Sequence, residues 1–441
     1  MADLNKDGLN NDIDRREFRR KRRMRNQIIS YISAVLILAI LLTGIVIGIH
    51  SVATSLNDKK HAQELQDQLE AMSSQQEEPV VVEAPEETPE SEEEKSQLDI
   101  IVDNTIEAMP LSDKVAGLFI ITPEALTGAD VATKAGETTK DKLHEYAVGG
   151  LIYFNQNIKS KDQLTEMIST TRSYSMYPLF IAVDEEGGSI SRVAESGLVN
   201  NVGNMKAIGE TGDAAKAKEA GSTIASYLSE YGFDLDFAPV ADVILDGNTA
   251  IGERSFGSNA GEVSSMVAAY TEGLEENGVS ACLKHFPGLG SVEEDTHDGM
   301  VVSEKTQEDF ETTDFLSFQA GIDAGAEFVM VSHLSVPGIV GDNTPSSVSS
   351  KMINDILRGE LGFDGVVITD AMDMGAITEY YTADEAAVKA LQAGADMILM
   401  PEDFELAYQG VLDAVENGTL SEERINESLR RIFRVKYKDK V

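Results

Sequence analysis

Beyond about residue 98, short continuous apolar runs alternate with longer stretches whose apolar positions fall at helical spacing. The runs cover 116–121, 148–154, 178–183, 234–240, 279–285, 327–333, 365–370 and 396–400. Apolar residues stand next to one another in them instead of alternating with polar ones. That pattern predicts strands covered on both faces, and therefore parallel strands. Between them lie amphipathic or alanine-rich segments at 213–231, 261–277, 314–324, 349–361 and 382–393, and two more come after the last run at 404–417 and 421–436. Strand–helix alternation repeated eight times predicts an α/β fold, a (β/α)8 TIM-type barrel, with a doubly wound parallel sheet as the competing architecture.

The chain upstream has a different character. Residues 28–49 carry no charge and are almost wholly apolar. As a helix they are long enough to cross a hydrocarbon core of about 30 Å. Arg15, Arg16, Arg19, Arg20, Lys21, Arg22, Arg23 and Arg25 precede them, and the positive-inside rule keeps that flank cytoplasmic while the chain beyond the apolar run is exported. The run exceeds a signal-peptide core of about 7–15 residues and no small-x-small site comes after it, which favours an uncleaved anchor over a cleaved signal. Residues 57–76, with Leu65, Leu69 and Met72 at helical spacing, predict a short juxtamembrane helix. Residues 77–95 hold nine acidic residues and three prolines, a composition that predicts an extended, disordered spacer. The expected plan is a basic cytoplasmic tail at 1–26, a transmembrane signal anchor at 27–49, a linker at 50–97 and a catalytic barrel at 98–441. The barrel would sit extracellularly, tethered to the cell membrane.

Composition narrows the partners. A net charge of −40, from 36 Lys and Arg against 76 Asp and Glu, repels a phosphate backbone and argues against nucleic acid. The single cysteine, Cys282, excludes an intramolecular disulfide framework and any multi-cysteine metal site, and its place in an apolar run reads as a core thiol. There is no tryptophan, so an aromatic sugar platform would need Tyr or Phe.

In a barrel of this kind the chemistry gathers at the C-terminal strand ends. Asp184-Glu185-Glu186-Gly187-Gly188 comes after the third run, Asp242 after the fourth, and Pro401-Glu402-Asp403 after the eighth; Lys284-His285, His333 and Asp370 close the fifth, sixth and seventh. Acids alone are weak pointers in so acidic a chain, and the Lys, Arg and His residues carry more weight. Asp370, directly after an apolar strand, is partly desolvated and rigidly held, which suits a nucleophile; it would equally serve as the N-cap of the next segment. Asp373 is the better-placed cap. After Lys284-His285 comes Pro287-Gly288-Leu289-Gly290, then a polar loop with Asp295 and His297. A carboxylate beside an imidazole fixes its tautomer and raises its pKa, making a proton donor near neutrality. An ordinary solvated loop and a metal site are the other readings of this pair. The first strand, ending Phe119-Ile120-Ile121-Thr122, lacks the paired histidines of a barrel metallohydrolase, so no metal or cofactor is expected.

These segments, in order, resemble glycoside hydrolase family 3, in its β-N-acetylglucosaminidase branch. The resemblance rests on Val183-Asp184-Glu185-Glu186-Gly187-Gly188 with Arg192, Ile251-Gly252-Glu253-Arg254-Ser255-Phe256, Lys284-His285-Phe286-Pro287-Gly288-x-Gly290 with Asp295-x-His297, and Ile368-Thr369-Asp370-Ala371-Met372. It covers 98–441 and nothing upstream. By that resemblance Asp370 matches the nucleophile, His297 the general acid/base and Asp295 its partner, while Asp184, Arg192, Arg254, Lys284 and His285 match residues that hold the terminal sugar.

The implied reaction is retaining hydrolysis of terminal, non-reducing β-linked N-acetylglucosamine (GlcNAc) from peptidoglycan fragments, muropeptides or related glycans. Retaining pairs are ordinarily two carboxyls, and this branch resembles an exception with His as the acid. A phosphate acceptor in place of water, giving a phosphorylase, stays open. So do a β-glucosidase or β-xylosidase activity and a non-catalytic wall-binding module. Family members of the β-glucosidase type add a second domain supplying a Glu acid; this chain ends soon after the eighth strand, which favours the His-acid branch. Leu289 stands where many relatives carry His, at a position assigned no chemistry, and is expected to bear mainly on loop packing.

Overall fold

The computed structural model describes residues 96–245, 251–292, 296 and 299–438. The expected cytoplasmic tail, anchor and linker lie outside the described residues, as do Asp295 and His297. Among the described residues no helix is long and apolar enough to cross a membrane.

The strands among the described residues are β1 (Phe119–Ile121), β2 (Gly150–Ile152), β3 (Phe180–Val183), β4 (Glu185–Gly187), β5 (Ile190–Ser191), β6 (Leu235–Asp236), β7 (Ser280–Phe286), β8 (Phe328–Val331), β9 (Val366–Thr369) and β10 (Ile398–Leu399). All but β4 and β5 form one parallel sheet. Its eight strands neighbour one another in chain order, and β10 returns to pair with β1. The ring closes where Ile368 bridges Met397 and the Thr369 N–H donates to the Met397 carbonyl at 3.1 Å. This is the expected barrel, not the doubly wound sheet. Seven of the eight apolar runs contain their strand, trimmed by a few residues at the ends, and β7 runs one residue past the fifth, to Phe286. Each barrel strand is buried throughout, which is why the apolar runs are continuous.

The outer helices also fall where the spacing places them, at Ala214–Tyr231, Ala260–Glu275, Asp314–Asp323, Ala383–Ala393, Phe404–Glu416 and Glu422–Tyr437. Their starts are fixed by side chains accepting free N–H groups, such as Asp213 on Ala215 and Asn259 on Gly261 and Glu262. Segment Lys351–Glu360 winds as a π-helix, ending with the Leu361 N–H on the Ile356 carbonyl at 2.9 Å. Two departures matter more. Ala116, expected to start a strand, instead ends helix Leu111–Ala116. In addition, β4 and β5 pair as an antiparallel hairpin directly after β3. Its turn needs Gly187 and Gly188, at φ +92° and +62°, where a Cβ would be strained and would crowd Met205 or Asn204. The hairpin delivers Arg192 to the top of the barrel.

At the other end Asp396, fully buried, ties the last helix to the barrel. Its carboxylate accepts the Val367 N–H at 3.0 Å and the Ser428 hydroxyl at 2.8 Å, and pairs with Arg358 at 2.5 Å and Arg431 at 3.2 Å.

Candidate active site

A cavity of about 380 Å³ opens at the C-terminal ends of the strands, lined by Asp184, Arg192, Arg254, Lys284, His285 and Asp370 among others. These six, the described members of the expected catalytic and sugar-holding set, are therefore brought together. Lys284 and His285 are successive in β7, where side chains should point to opposite faces. Pairing with β8 slips by one residue between Leu283 and Phe286, and such a bulge re-aims a side chain, so that both line the cavity.

A continuous chain of contacts links most of these groups. Lys284 Nζ lies 2.6 Å from Asp184 Oδ1 and 2.7 Å from Glu186 Oε1. Arg254 forks onto the same Glu186, Nε to Oε2 at 2.8 Å and a terminal nitrogen to Oε1 at 2.7 Å. That terminal nitrogen also lies 3.2 Å from His285 Nε2. His285 Nδ1 is 2.8 Å from Asp242 Oδ2. A guanidinium only donates, so Nε2 is the acceptor and the ring proton sits on Nδ1, donated to Asp242.

The electrostatics stem from burial and charge. Burial works against an ionised Glu186, but Arg254 and Lys284 more than offset it and hold its carboxyl well below the usual carboxylate range. Burial would lower the Lys284 ammonium, but Asp184 and Glu186 outweigh it and raise that group. Burial likewise opposes ionisation of Asp370. The neighbouring His285 and His333, the Ala371 N–H and Lys284 outweigh it, leaving the carboxyl lowered and ionised at neutral pH.

Asp370 stands directly after β9. Its own N–H is held by the Val331 carbonyl and its Oδ1 accepts the Ala371 N–H at 2.8 Å. The next helix, Gly375–Thr378, has no side-chain cap, so neither Asp370 nor Asp373 serves as one. Asp373 instead lines the cavity. Behind Asp370, His333 Nε2 donates to the Ala371 carbonyl at 2.9 Å while Nδ1 meets the Ser347 hydroxyl at 2.8 Å.

Arg192 packs over the Phe154 ring at 5.7 Å, and its buried Nε has no hydrogen-bond partner among the described residues. Phe154 also lines the cavity, as an aromatic wall in a protein without tryptophan. Leu289 is buried and lines the cavity too, so its side chain bears on the site as well as on loop packing. Between the undescribed Asp295 and His297, Thr296 is buried, lines the cavity and accepts the Ala376 N–H at 3.2 Å.

Residues 110–435 match the Glycosyl hydrolase family 3 N terminal domain. The chain belongs to this family. A β-hexosaminidase of Stenotrophomonas maltophilia is 37% identical over 278 residues, 62% of this chain and 82% of that protein. Among solved structures, a family 3 β-N-acetylglucosaminidase from a Paenibacillus species superposes with a TM-score of 0.69 at 33% identity, covering 75% of this chain and 63% of that one. A family 3 glycosyl hydrolase of Mycobacterium smegmatis gives 0.67 at 30% identity, covering 75% of this chain and 98% of that one. These relationships identify a glycoside hydrolase of the β-N-acetylhexosaminidase type.

The family motifs point to Asp184 and the two cations Lys284 and Arg254 but not to Glu186, which joins the cations, nor to Asp242 behind His285. Both stand as acids after strand ends, and nothing in the sequence separates them from other acids of an acidic chain.

Proposed function

We propose that this chain is an exo-acting, retaining β-N-acetylglucosaminidase that removes terminal, non-reducing GlcNAc from peptidoglycan fragments or related glycans. The observation that carries the reading is an ionised Asp370 facing a cavity whose other polar walls include Asp184, Lys284, Arg254 and Arg192. Paired cations and a carboxylate orient sugar hydroxyls by charge-assisted hydrogen bonds, which apolar walls cannot do. Arg192 contributes a buried donor that no described residue engages. A pocket closed below by the barrel core accepts a chain end more readily than a chain middle, which supports exo action.

In this mechanism Asp370 attacks the anomeric carbon while protonated His297 gives its proton to the leaving oxygen. Neutral His297 then takes a proton from water, which releases the sugar from Asp370 with net retention. Asp295 orients the imidazole. Supporting these two roles are the family motif and Thr296, their common neighbour, on the cavity wall. The proposed setting is a single-pass cell-membrane protein with a cytoplasmic N-terminus and an extracellular barrel. The uncharged run 28–49 behind its basic flank supports it.

Turnover of nitrophenyl GlcNAc, nitrophenyl glucoside and GlcNAc-containing muropeptides, each with and without phosphate, tests the reading. Faster glucoside cleavage, or turnover that depends on phosphate, would overturn it. Protease shaving of intact cells tests the topology: removal of residues 1–26 alone would show the opposite orientation.

A further inference from the structure

Asp242 does not line the cavity, yet its carboxylate is fully buried and engaged on both oxygens. Oδ2 takes the His285 Nδ1 proton at 2.8 Å and lies 3.3 Å from the His285 backbone nitrogen. Oδ1 takes the Leu289 N–H at 2.6 Å. One carboxylate thus holds the imidazole and both ends of the turn from His285 to Leu289. The backbone around it is tied down as well. The Ala241 N–H donates to the Lys284 carbonyl at 2.6 Å, the Leu245 N–H to the Gly290 carbonyl at 2.9 Å, and the Val243 N–H to Asp314 at 3.0 Å. At Gly290 a Cβ would meet the Val243 carbonyl at 2.0 Å. Asp242 is therefore fixed before any substrate arrives.

The consequence lies two contacts away. With its proton on Nδ1, His285 presents a lone pair on Nε2, and that lone pair meets Arg254. Arg254 is thereby gripped between Glu186 and His285. If the proton moved to Nε2, donor would face donor and the guanidinium would lose one of its two supports. The tautomer of a histidine is set by what its other nitrogen meets, and here that group is Asp242.

We propose that Asp242 is a positioning residue: it locks His285 as the neutral Nδ1–H tautomer, so that Nε2 orients Arg254 toward the sugar. This inference rests on the sugar-binding reading of Arg254 above. An asparagine at 242 can satisfy one side only. Its amide nitrogen would oppose either His285 Nδ1–H or the Leu289 N–H, both donors.

The test uses the full chain in detergent, labelled with 15N-histidine, the His285 signal being assigned by its loss in His285→Ala. At neutral pH wild-type His285 is expected to show the neutral Nδ1–H pattern. Calorimetric affinity for GlcNAc is expected to fall between about ten- and a hundredfold in Asp242→Asn, the range for a hydrogen bond to a charged group. In the His285→Ala background the same substitution should cost little, since the group it acts through is gone. A wild-type His285 protonated on Nε2 would overturn the proposal whether or not the variant folds. So would unchanged affinity in Asp242→Asn, or an equal loss in both backgrounds. The tautomer is read without substrate, so wild-type protein that fails to bind GlcNAc would sink the functional reading separately.

Discussion

Glu186 and Lys284 are both buried, and their charged atoms lie 2.7 Å apart. The same Glu186 oxygen lies 2.7 Å from Arg254, so one carboxylate bridges two cations that face the cavity. Removing one partner from a buried ion cluster strands the others, a cost of about 3–5 kcal/mol. Glu186→Ala is therefore expected to lower the melting temperature and weaken GlcNAc binding together. Because the folded Glu186 carboxyl is held below its ordinary value, its contribution is present above the ordinary glutamate range near pH 4.5 and is lost as pH falls below it. The acid-unfolding profile of Glu186→Gln should accordingly be shallower than that of the wild type. Parallel profiles would remove the charge argument.

Asp370→Asn keeps the shape of the site and removes the proposed nucleophile. Turnover should fall at least about a thousandfold, with GlcNAc affinity and melting temperature close to wild type. In the wild type, Asp370 remains ionised to below the usual carboxylate range. The acid limb of kcat/KM should then lie below the ordinary aspartate range if Asp370 alone sets it. Residual activity near wild type in Asp370→Asn would reassign the nucleophile.

His297→Ala separates leaving groups. A donated proton matters most when the departing oxygen is basic, so cleavage of GlcNAc disaccharides should suffer far more than cleavage of activated aryl glycosides. Equal losses on both would argue against an acid role.

Asp396 lies far from the chemistry and holds the barrel shut. Its Arg358, Arg431, Ser428 and Val367 partners span the last helix, the π-helix and β9. Asp396→Ala leaves the arginines without their buried counter-charge, so stability should drop by about 3–5 kcal/mol. KM should stay unchanged in the protein that remains folded. A shifted KM with unaltered melting would mean that this network reaches the site.

How much of this is legible in the sequence depends on the range of the cause. Strands such as Ile398–Leu399 announce themselves because burial on both faces demands a local apolar run. Asp184, Lys284, His285 and Asp370 are legible because a barrel collects strand ends. The hairpin at 185–191 is not, since its two short strands have no apolar alternation and only the Gly187-Gly188 pair marks the turn. Glu186 and Asp242 are unreadable for another reason. Their roles are defined by partners 68 and 43 residues away, and sequence spacing carries no trace of such contacts. Leu289 misleads because a Pro-Gly-x-Gly context marks it as a loop residue, whereas its N–H is tied to Asp242 and its side chain faces the cavity.

Glu185 turns the hairpin's geometry into a pH dependence. Its buried carboxylate accepts the Val193 and Ala194 N–H groups at 2.7 and 3.0 Å and the Tyr227 hydroxyl at 2.8 Å. These contacts hold the start of helix Arg192–Glu195 and hence Arg192 itself. Burial pushes the carboxyl up from about 4.5 to about 7, the donors offsetting only part of that cost. A folded pKa above the unfolded one means that folding favours the protonated form. The stability involved is present below pH 4.5 and is lost as pH rises through 7, amounting to roughly 3–4 kcal/mol. Glutamine removes the charge, but since all three partners of Glu185 donate, its amide nitrogen opposes one helix N–H at every pH. That fixed cost aside, Glu185→Gln should gain stability relative to the wild type as pH rises from about 5 to about 8. If the difference in melting temperature between the two proteins is constant across that interval, Glu185 is already ionised at the acid end and burial does not govern it.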